Sequence, residues 1–361
     1  MISLSLKGQS AQFDFLIYDM LKSIFQKIGL RDRDPIQIHG YQTYGTDKHL
    51  YTLGRALEHE GVNLEKAGFY NAFKNAYKQF KSDELPGVKL KIKLPDDRVF
   101  YAETDAEGYF KIDVATEELQ KAANDQGWLS LELSYEGTNQ DRLIMNNNRF
   151  PAQMLVPPKT AEYGVISDID DTILQTGVVS LMKWRVILNT LFRDVGKRTP
   201  LHGAADLYKK FHVGKSGKAA NPIFYVSNSP WNIYHYLESF IKHNNFPKGA
   251  ILLRDFRTPF DKTPKPEKPH KQHEIRNILK TYPDLKFVLI GDSGEHDADI
   301  YIEIAEEYPD QILAIYLRSV NHEKRVFRVR GLLEKFELTP ALLVKESALA
   351  EEHARELGLI Q

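Results

Sequence analysis

The chain has 361 residues, a hydrophobic share of 42%, and 48 basic against 49 acidic residues, for a formal net charge of −1. That length asks for two domains and that apolar content can fill real cores, while the balanced charge gives no global pull toward nucleic acid. There is no cysteine, so disulfides, cysteine-ligated zinc and thiol catalysis are excluded.

The first elements are amphipathic. Ile17, Leu21, Ile24, Phe25 and Ile28 form a helical stripe that stops at Gly29. It reads as a soluble helix, with a membrane-surface helix as the alternative. The segment Met1 to Phe13 is polar and mixed, without a secretory pattern. Early strands are expected within 36–57 and a helical insert at about 63–82. Val88, Leu90, Ile92 and Leu94 then alternate with lysines, Pro95-Asp96-Asp97 makes a turn, and Arg98 to Glu103 returns. A second turn, Thr104 to Phe110, leads to another strand, and Leu129, Leu131, Leu133 and Tyr135 alternate again. This spacing predicts an N-terminal, mostly antiparallel β-sandwich domain over residues 1–156. Nothing in it groups catalytic residue types. Pro151, Pro157 and Pro158 mark a junction strand and linker.

From 157 to 361 the pattern changes to strand alternating with helix. Strands are expected at 163–168, 222–227, 250–253, 286–291 and 312–317, and helices at 231–244, 271–282 and 297–307. That alternation predicts a doubly wound parallel sheet, whose strand C-termini form the ligand edge. A helix is expected at 340–361. No run in the chain is long and apolar enough for a transmembrane helix.

Three of the strands end in chemistry. Val165 to Asp168 is followed by Ile169, Asp170, Asp171 and Thr172, so two carboxylates stand two apart at a strand end. Such a pair repels unless a metal or a shared proton compensates it. The plainer reading is a helix cap from Asp171 or Thr172. Ile223 to Val226 ends in Ser227, Asn228 and Ser229, hydroxyl and turn residues that suit a phosphoryl oxygen or, equally, a helix N-terminus. Phe287 to Gly291 ends in Asp292, with Asp297 five residues on. Asp292 could serve a hard cation. Asp297 could orient a metal-bound water or a lysine, or simply favour a helix N-terminus. His296 beside it could be a ligand, but reads first as a solvated loop residue. Before the third strand stand Lys262, Lys265, Lys268 and Lys271. A fixed ammonium would offset phosphoryl charge. Lys271 opens a helical pattern, and most of the others read as solvated.

Asp168-x-Asp170-x-Thr172, Ser227, Lys271 and Asp292 with Asp297 resemble the four ordered motifs of the haloacid-dehalogenase phosphatase superfamily. Ile166 to Ile173, Phe224 to Asn232, Leu252 to Asp255 and Leu289 to Gly294 are similar to the actin-patch-associated phosphatidate phosphatase family, over about residues 157–335. The resemblance implies an α/β haloacid-dehalogenase-like catalytic domain that hydrolyses a phosphomonoester, phosphatidate first, to diacylglycerol and phosphate. It assigns Asp168 as nucleophile, Asp170 as acid and base, and Lys271 as the phosphoryl-holding cation. Ser227, Asn228 and Thr172 would bind the substrate phosphate. Mg²⁺ would sit on Asp168, Asp170 and Asp292, with Asp297 in support. Two other functions compete. One is a soluble phosphatase for a sugar, nucleotide or protein phosphate. The other is a non-catalytic lipid-binding or scaffold protein, which the intact aspartates disfavour.

The segment after Thr172 to about Pro222 reads as an insertion over the active site, and residues 178–198 fall in it. They carry Lys183, Arg185, Arg193, Lys197 and Arg198 against one acid, Asp194, with Trp184 and Phe192 interspersed. A basic amphipathic helix with tryptophan suits an anionic membrane surface, and a cap packed on the domain fits as well. The expected location is cytoplasmic, peripheral to a membrane if this segment meets lipid.

Overall fold

The computed structural model describes residues 35–58, 84–137, 142–169, 203–254, 269–294, 296–319 and 323–361. The helices expected at 14–28 and 63–82, the 178–198 segment, Asp170, Thr172, Lys262, Lys265 and Lys268 lie outside the described residues.

The N-terminal half contains β1 (Ile36–Gly40), β2 (Gln42–Tyr44), β3 (His49–Glu58), β4 (Lys89–Lys93), β5 (Val99–Glu103), β6 (Tyr109–Ala115), a short helix α1 (Leu119–Ala122), β7 (Trp128–Tyr135) and β8 (Phe150–Leu155). They form a three-stranded sheet, β1-β3-β6, and a five-stranded one, β2-β8-β7-β4-β5. Every pairing is antiparallel except β2 with β8. Ile36, Ile38, Leu50 and Ile112 from the first sheet share one core with Leu90, Ile92, Leu129, Leu131 and Leu133 from the second. The alternation read from the sequence is the reason: β7 buries Leu129, Leu131 and Leu133 and exposes Ser130 and Glu132 between them. The chain changes sheets at Gly40-Tyr41. A side chain on Gly40 would meet Ala152 Cβ at 2.4 Å, so glycine is what lets β1 pass this close to β8.

The C-terminal half contains β9 (Gly164–Asp168), α2 (Ala204–Val213), β10 (Ile223–Pro230), α3 (Tyr234–His243), β11 (Ala250–Arg254), α4 (His270–Thr281), β12 (Phe287–Asp292), α5 (Asp297–Glu307), β13 (Ile312–Arg318), α6 (Glu323–Leu333), β14 (Ala341–Val344) and α7 (Ser347–Glu356). Its six strands form one sheet in the order β11-β10-β9-β12-β13-β14, parallel throughout. β9 is buried at all five positions and β12 at all six, as expected where helices cover both faces. Val165, Tyr225, Val288 and Tyr316 pack with α2, α3 and α7. Ile166, Phe224, Leu289 and Leu317 pack on the other face with α4, α5 and α6.

The sequence reading needs three adjustments here. The expected helix over 340–361 is instead the sixth strand followed by α7. Ala341–Val344 is four apolar residues beside β13, too short a run to show a period. The insertion after Thr172 is not entirely a cap, because α2 buries Ala204, Leu207, Tyr208 and Phe211 in the domain core. Helix 231–244 begins with a 3₁₀ turn at Trp231–Ile233 before α3.

The two halves meet along β2. Tyr41 stacks on Trp231, and Tyr44 packs edge-on against Phe224. The Tyr282 hydroxyl donates to the Gly45 carbonyl, and the Lys248 ammonium sits 4.0 Å over the Trp128 ring. Burial on this seam pushes the Lys248 ammonium down to about 8.

Candidate active site

Strand order decides where the chemistry gathers. β9 leads outward through β10 to β11, and β12 then returns to the other side of β9. The order therefore reverses between β9 and β12, the point at which open α/β sheets bind ligands outside the strand C-termini. Asp168 ends β9 and Asp292 ends β12, in neighbouring strands paired through Ser167 and Ile290. On the other flank Val226 of β10 pairs with Asp168, so Ser227 follows one residue further along. Three adjacent strands thus deliver Ser227, Asp168 and Asp292 to one edge.

Two helices complete the group. Lys271, second residue of α4, reaches in until Nζ is 2.9 Å from Asp168 Oδ1 and 2.5 Å from Asp297 Oδ1. Asp297 opens α5, and its Oδ2 accepts the Asp292 backbone N–H at 3.2 Å. Asp292 Oδ1 in turn accepts the Gly294 N–H. Gly291 permits this approach, since a side chain there would meet Asp297 Oδ2 at 2.5 Å. Arg276 ties the two helices together with bonds of 2.6 Å to Glu303 and 2.7 Å to Glu307.

Burial makes this cluster unusual. Asp168, Ser227, Lys271, Asp292 and Asp297 are each at most 1% exposed. Buried charges persist only when paired, and among the described residues one ammonium, bonded to Asp168 and Asp297, stands with three carboxylates. Asp168, Asp292 and Asp297 can each offer an oxygen within 4.8 Å of the others. An all-oxygen, anionic donor set fits a hard divalent cation, whose charge would offset that excess. Asp297 uses both oxygens, Oδ1 toward Lys271 and Oδ2 toward the Asp292 amide, so Asp168 and Asp292, at the strand ends, fit the ligand role better.

Sequence reasoning named these residues and missed the groups that hold them. Ser167 Oγ donates to the Asp168 carbonyl at 2.7 Å and lies 2.6 Å from the Tyr208 hydroxyl, which makes Tyr208 the donor to Ser167. Burial pushes the Tyr208 phenol well up, so it keeps its proton. Ala204, Leu207, Tyr208 and Phe211 have helical spacing, a signal that finds α2 but not its partner. The Tyr301 hydroxyl supports the same edge by donating to the Ile290 carbonyl at 2.9 Å. Ser227 Oγ accepts the Ser229 N–H at 2.9 Å, closing a tight turn, and Asn228 is half-buried beside it. Arg325 of α6 donates to the Gly294 carbonyl. His296 is exposed, 3.8 Å from Asp299, and takes no part.

A parallel α/β domain with a buried lysine–carboxylate cluster at its switch point is an enzyme-like architecture. Residues 163–319 match the family model described as phosphatidate phosphatase APP1, catalytic domain, and this segment belongs to that family of domains. The chain is 34% identical over 251 residues to phosphatidate phosphatase APP1 of Saccharomyces cerevisiae, covering 67% of this chain and 40% of that protein. It is 32% identical over 225 residues to an uncharacterised protein of Schizosaccharomyces pombe, covering 61% of this chain and 34% of that one. The chain therefore spans well under half the length of either relative. Among solved structures, that of EndoBT-3987 from Bacteroides thetaiotamicron aligns over 78% of this chain and 77% of that chain at 7% identity, with a TM-score of 0.24, too low for a shared fold.

Proposed function

We propose that this chain is a phosphomonoester phosphatase of the haloacid-dehalogenase type, with phosphatidate as substrate and diacylglycerol and inorganic phosphate as products. The observation that carries the reading is Lys271 bridging Asp168 and Asp297, with Asp292 alongside, in a buried cluster at the strand ends of an APP1-type catalytic segment. In this reading residues 157–361 are the doubly wound catalytic domain and residues 1–156 a β-sandwich-like domain. The substrate class comes from the name of the yeast relative.

The residues divide the work as follows. An Asp168 carboxylate oxygen attacks phosphorus, and the bond from phosphorus to the lipid alkoxide breaks as the aspartyl-phosphate forms. The Asp170 carboxyl gives its proton to that alkoxide. Asp170 then takes a proton from water, which attacks phosphorus, and the bond to Asp168 breaks to release phosphate. Lys271 stabilises charge on the phosphoryl oxygens, and Asp297 keeps the ammonium in place. Ser227, Asn228 and Thr172 hold phosphate oxygens. Mg²⁺ would be held by Asp168, Asp292 and Asp170, and when bound it supplies positive charge beside the transferring group. No helix among the described residues is long and apolar enough to cross a membrane. In this reading the enzyme works peripherally on an anionic lipid surface, through residues 178–198.

The test is phosphate release from phosphatidate in mixed micelles, beside a panel of soluble phosphomonoesters, with Mg²⁺ and with chelator. The expected result is Mg²⁺-dependent release from phosphatidate that Asp168→Asn lowers by about 10⁴-fold or more. Release from soluble esters alone would shift the assignment to a soluble phosphatase. Full activity in chelator, or in Asp168→Asn free of wild type, would overturn the mechanism.

A further inference from the structure

We infer that Tyr41, from the N-terminal half, is a positioning residue for the phosphate-binding turn at Ser227. This rests on the phosphatase reading of that turn. It assigns to the N-terminal half a part in the site that no motif in residues 1–156 suggests.

The turn has two attachments. Behind it, β10 is fixed in the parallel sheet through Val226. Ahead of it, Pro230 leads into the 3₁₀ turn Trp231–Ile233 and then α3. Pro230 also pairs with Arg254 of β11, and the residues after it are packed in addition from across the seam. Tyr41 is 4% exposed, and its ring lies 4.6 Å from that of Trp231 at an interplanar angle of 15°. It also touches Tyr234, first residue of α3, with centroids 4.6 Å apart. The Tyr234 hydroxyl accepts the backbone N–H of Gln42 at 2.7 Å, so the start of α3 is bonded to the main chain of β2. Tyr41 is itself fixed, because its backbone N–H donates to Leu53 of β3 at 3.0 Å.

Trp231 follows Ser229, whose N–H donates to the Ser227 hydroxyl, by two residues. Without the Tyr41 ring, Trp231 and Tyr234 would lose one face they pack on, and the far end of the turn would rest on the pairing of Pro230 with Arg254 of β11 and on the domain's own core. Small errors of placement matter here, since displacing a reacting or binding group by about 1 Å can lower rate by about a hundredfold. The seam has a second region that supplies a control. Lys248, which precedes β11 and lies at the opposite edge of the sheet, bonds Gln153 of β8. A break there loosens the seam without touching the turn.

The measurements are kcat/KM on a soluble phosphomonoester and the inhibition constant of inorganic phosphate, in the full chain with Mg²⁺. Tyr41→Leu keeps an apolar side chain in the seam and removes the stack. It should lower kcat/KM and raise the phosphate inhibition constant, each by about tenfold. Tyr41→Phe should restore both, and Gln153→Ala should change neither. In a Ser227→Ala background Tyr41→Leu should have almost no further effect, because its influence passes through that hydroxyl. Equal losses from Tyr41→Leu and Gln153→Ala, or full additivity with Ser227→Ala, would reduce Tyr41 to a packing residue and overturn the inference. If the wild type hydrolyses no phosphomonoester, the phosphatase reading itself fails. The same variants are then compared by calorimetric titration with inorganic phosphate. A weaker association in Tyr41→Leu alone supports the positioning role, and equal or undetectable association in all of them removes it.

Discussion

The two halves differ most in how much charge they bury together. In the N-terminal half, the Thr43 hydroxyl donates to the Tyr51 carbonyl at 2.7 Å and that of Thr104 to the Leu85 carbonyl at 2.6 Å. Both are neutral, and each fills a lone pair that the sheet leaves over. The C-terminal half buries neutral groups such as Ser167 and Asn221 too, but it also gathers four charged side chains from separate strands and helices at one edge of the sheet, where Lys271 bonds Asp168 and Asp297, and Asp297 bonds the Asp292 backbone. A neutral hydroxyl on a carbonyl is what a stable core tolerates, with a net contribution of about 1 kcal/mol. Removing four charges from water costs several kcal/mol per ion before pairing returns any of it. Stability alone selects the first arrangement and disfavours the second. The contrast marks the cluster as the candidate site without reference to any motif.

The most forceful way to break this contrast is at Lys271. Lys271→Met keeps the length and apolar stem of the side chain and removes the charge that Asp168 and Asp297 face. Activity should fall by about 10²- to 10³-fold, the usual effect of losing one preorganised group that stabilises transition-state charge. Stability should fall too, by roughly 3–5 kcal/mol, because breaking a buried pair leaves uncompensated charge. Asp297→Asn added to Lys271→Met should recover part of the stability and none of the activity. Urea unfolding beside turnover measurements checks both. A Lys271→Met protein as stable as wild type would mean that the cluster is solvated and that the contrast is false.

The same contrast explains what could be read beforehand. The parallel sheet was legible because continuous apolar runs such as Phe287–Ile290 end in carboxylates or hydroxyls, a pattern an antiparallel sheet open to solvent does not produce. Asp168, Ser227 and Asp292 could each be picked out for the same reason, and Lys271 and Asp297 by their places at the start of helical patterns. Their convergence could not, since it depends on strand order, and β10 and β12 reach the flanks of β9 only by crossing over. Lys271 was distinguishable from its three neighbouring lysines only by its place in a helical pattern. Tyr208, Tyr301 and Tyr41 were invisible, because a buried tyrosine in an apolar stripe reads as core until the partner of its ring or hydroxyl is known. β14 was lost to its brevity.

A smaller effect sharpens the comparison from the other side. Leu129 is fully buried in the shared core of the N-terminal sheets. Leu129→Ala should cost about 2–5 kcal/mol through lost transfer energy and the cavity left behind. Charge plays no part in that loss, so it should be insensitive to salt, and the folded fraction should keep its kcat. Denaturation at two ionic strengths, with turnover normalised to folded protein, separates this from the Lys271 variant. A kcat that fell in step with stability would show that the N-terminal core governs the site broadly and not through the Tyr41 contact alone.

The smallest expected effect concerns His270, the residue that opens α4 just before Lys271. Its Nε2 is shut off from solvent although the residue as a whole keeps some exposure. Burial pushes the imidazole down from the usual 6.5 to about 4; Arg254, His273 and Lys271 add to the shift, and a backbone hydrogen bond at Leu252 opposes it. The folded protein therefore keeps His270 neutral where the unfolded chain would protonate it. The sign follows from linkage: the unfolded state binds the extra proton, so stability falls with pH between about 6.5 and 4 and is unaffected by this group above that window. His270→Gln has no proton to gain. Its unfolding free energy should decline less steeply than that of wild type across this interval, and the two proteins should show parallel pH dependence above about 7. Equilibrium urea unfolding at half-unit pH steps measures the difference. Identical slopes from pH 6.5 to 4 would mean that His270 reaches water in the native state, and that the start of α4 is more open than the buried ammonium beside it requires.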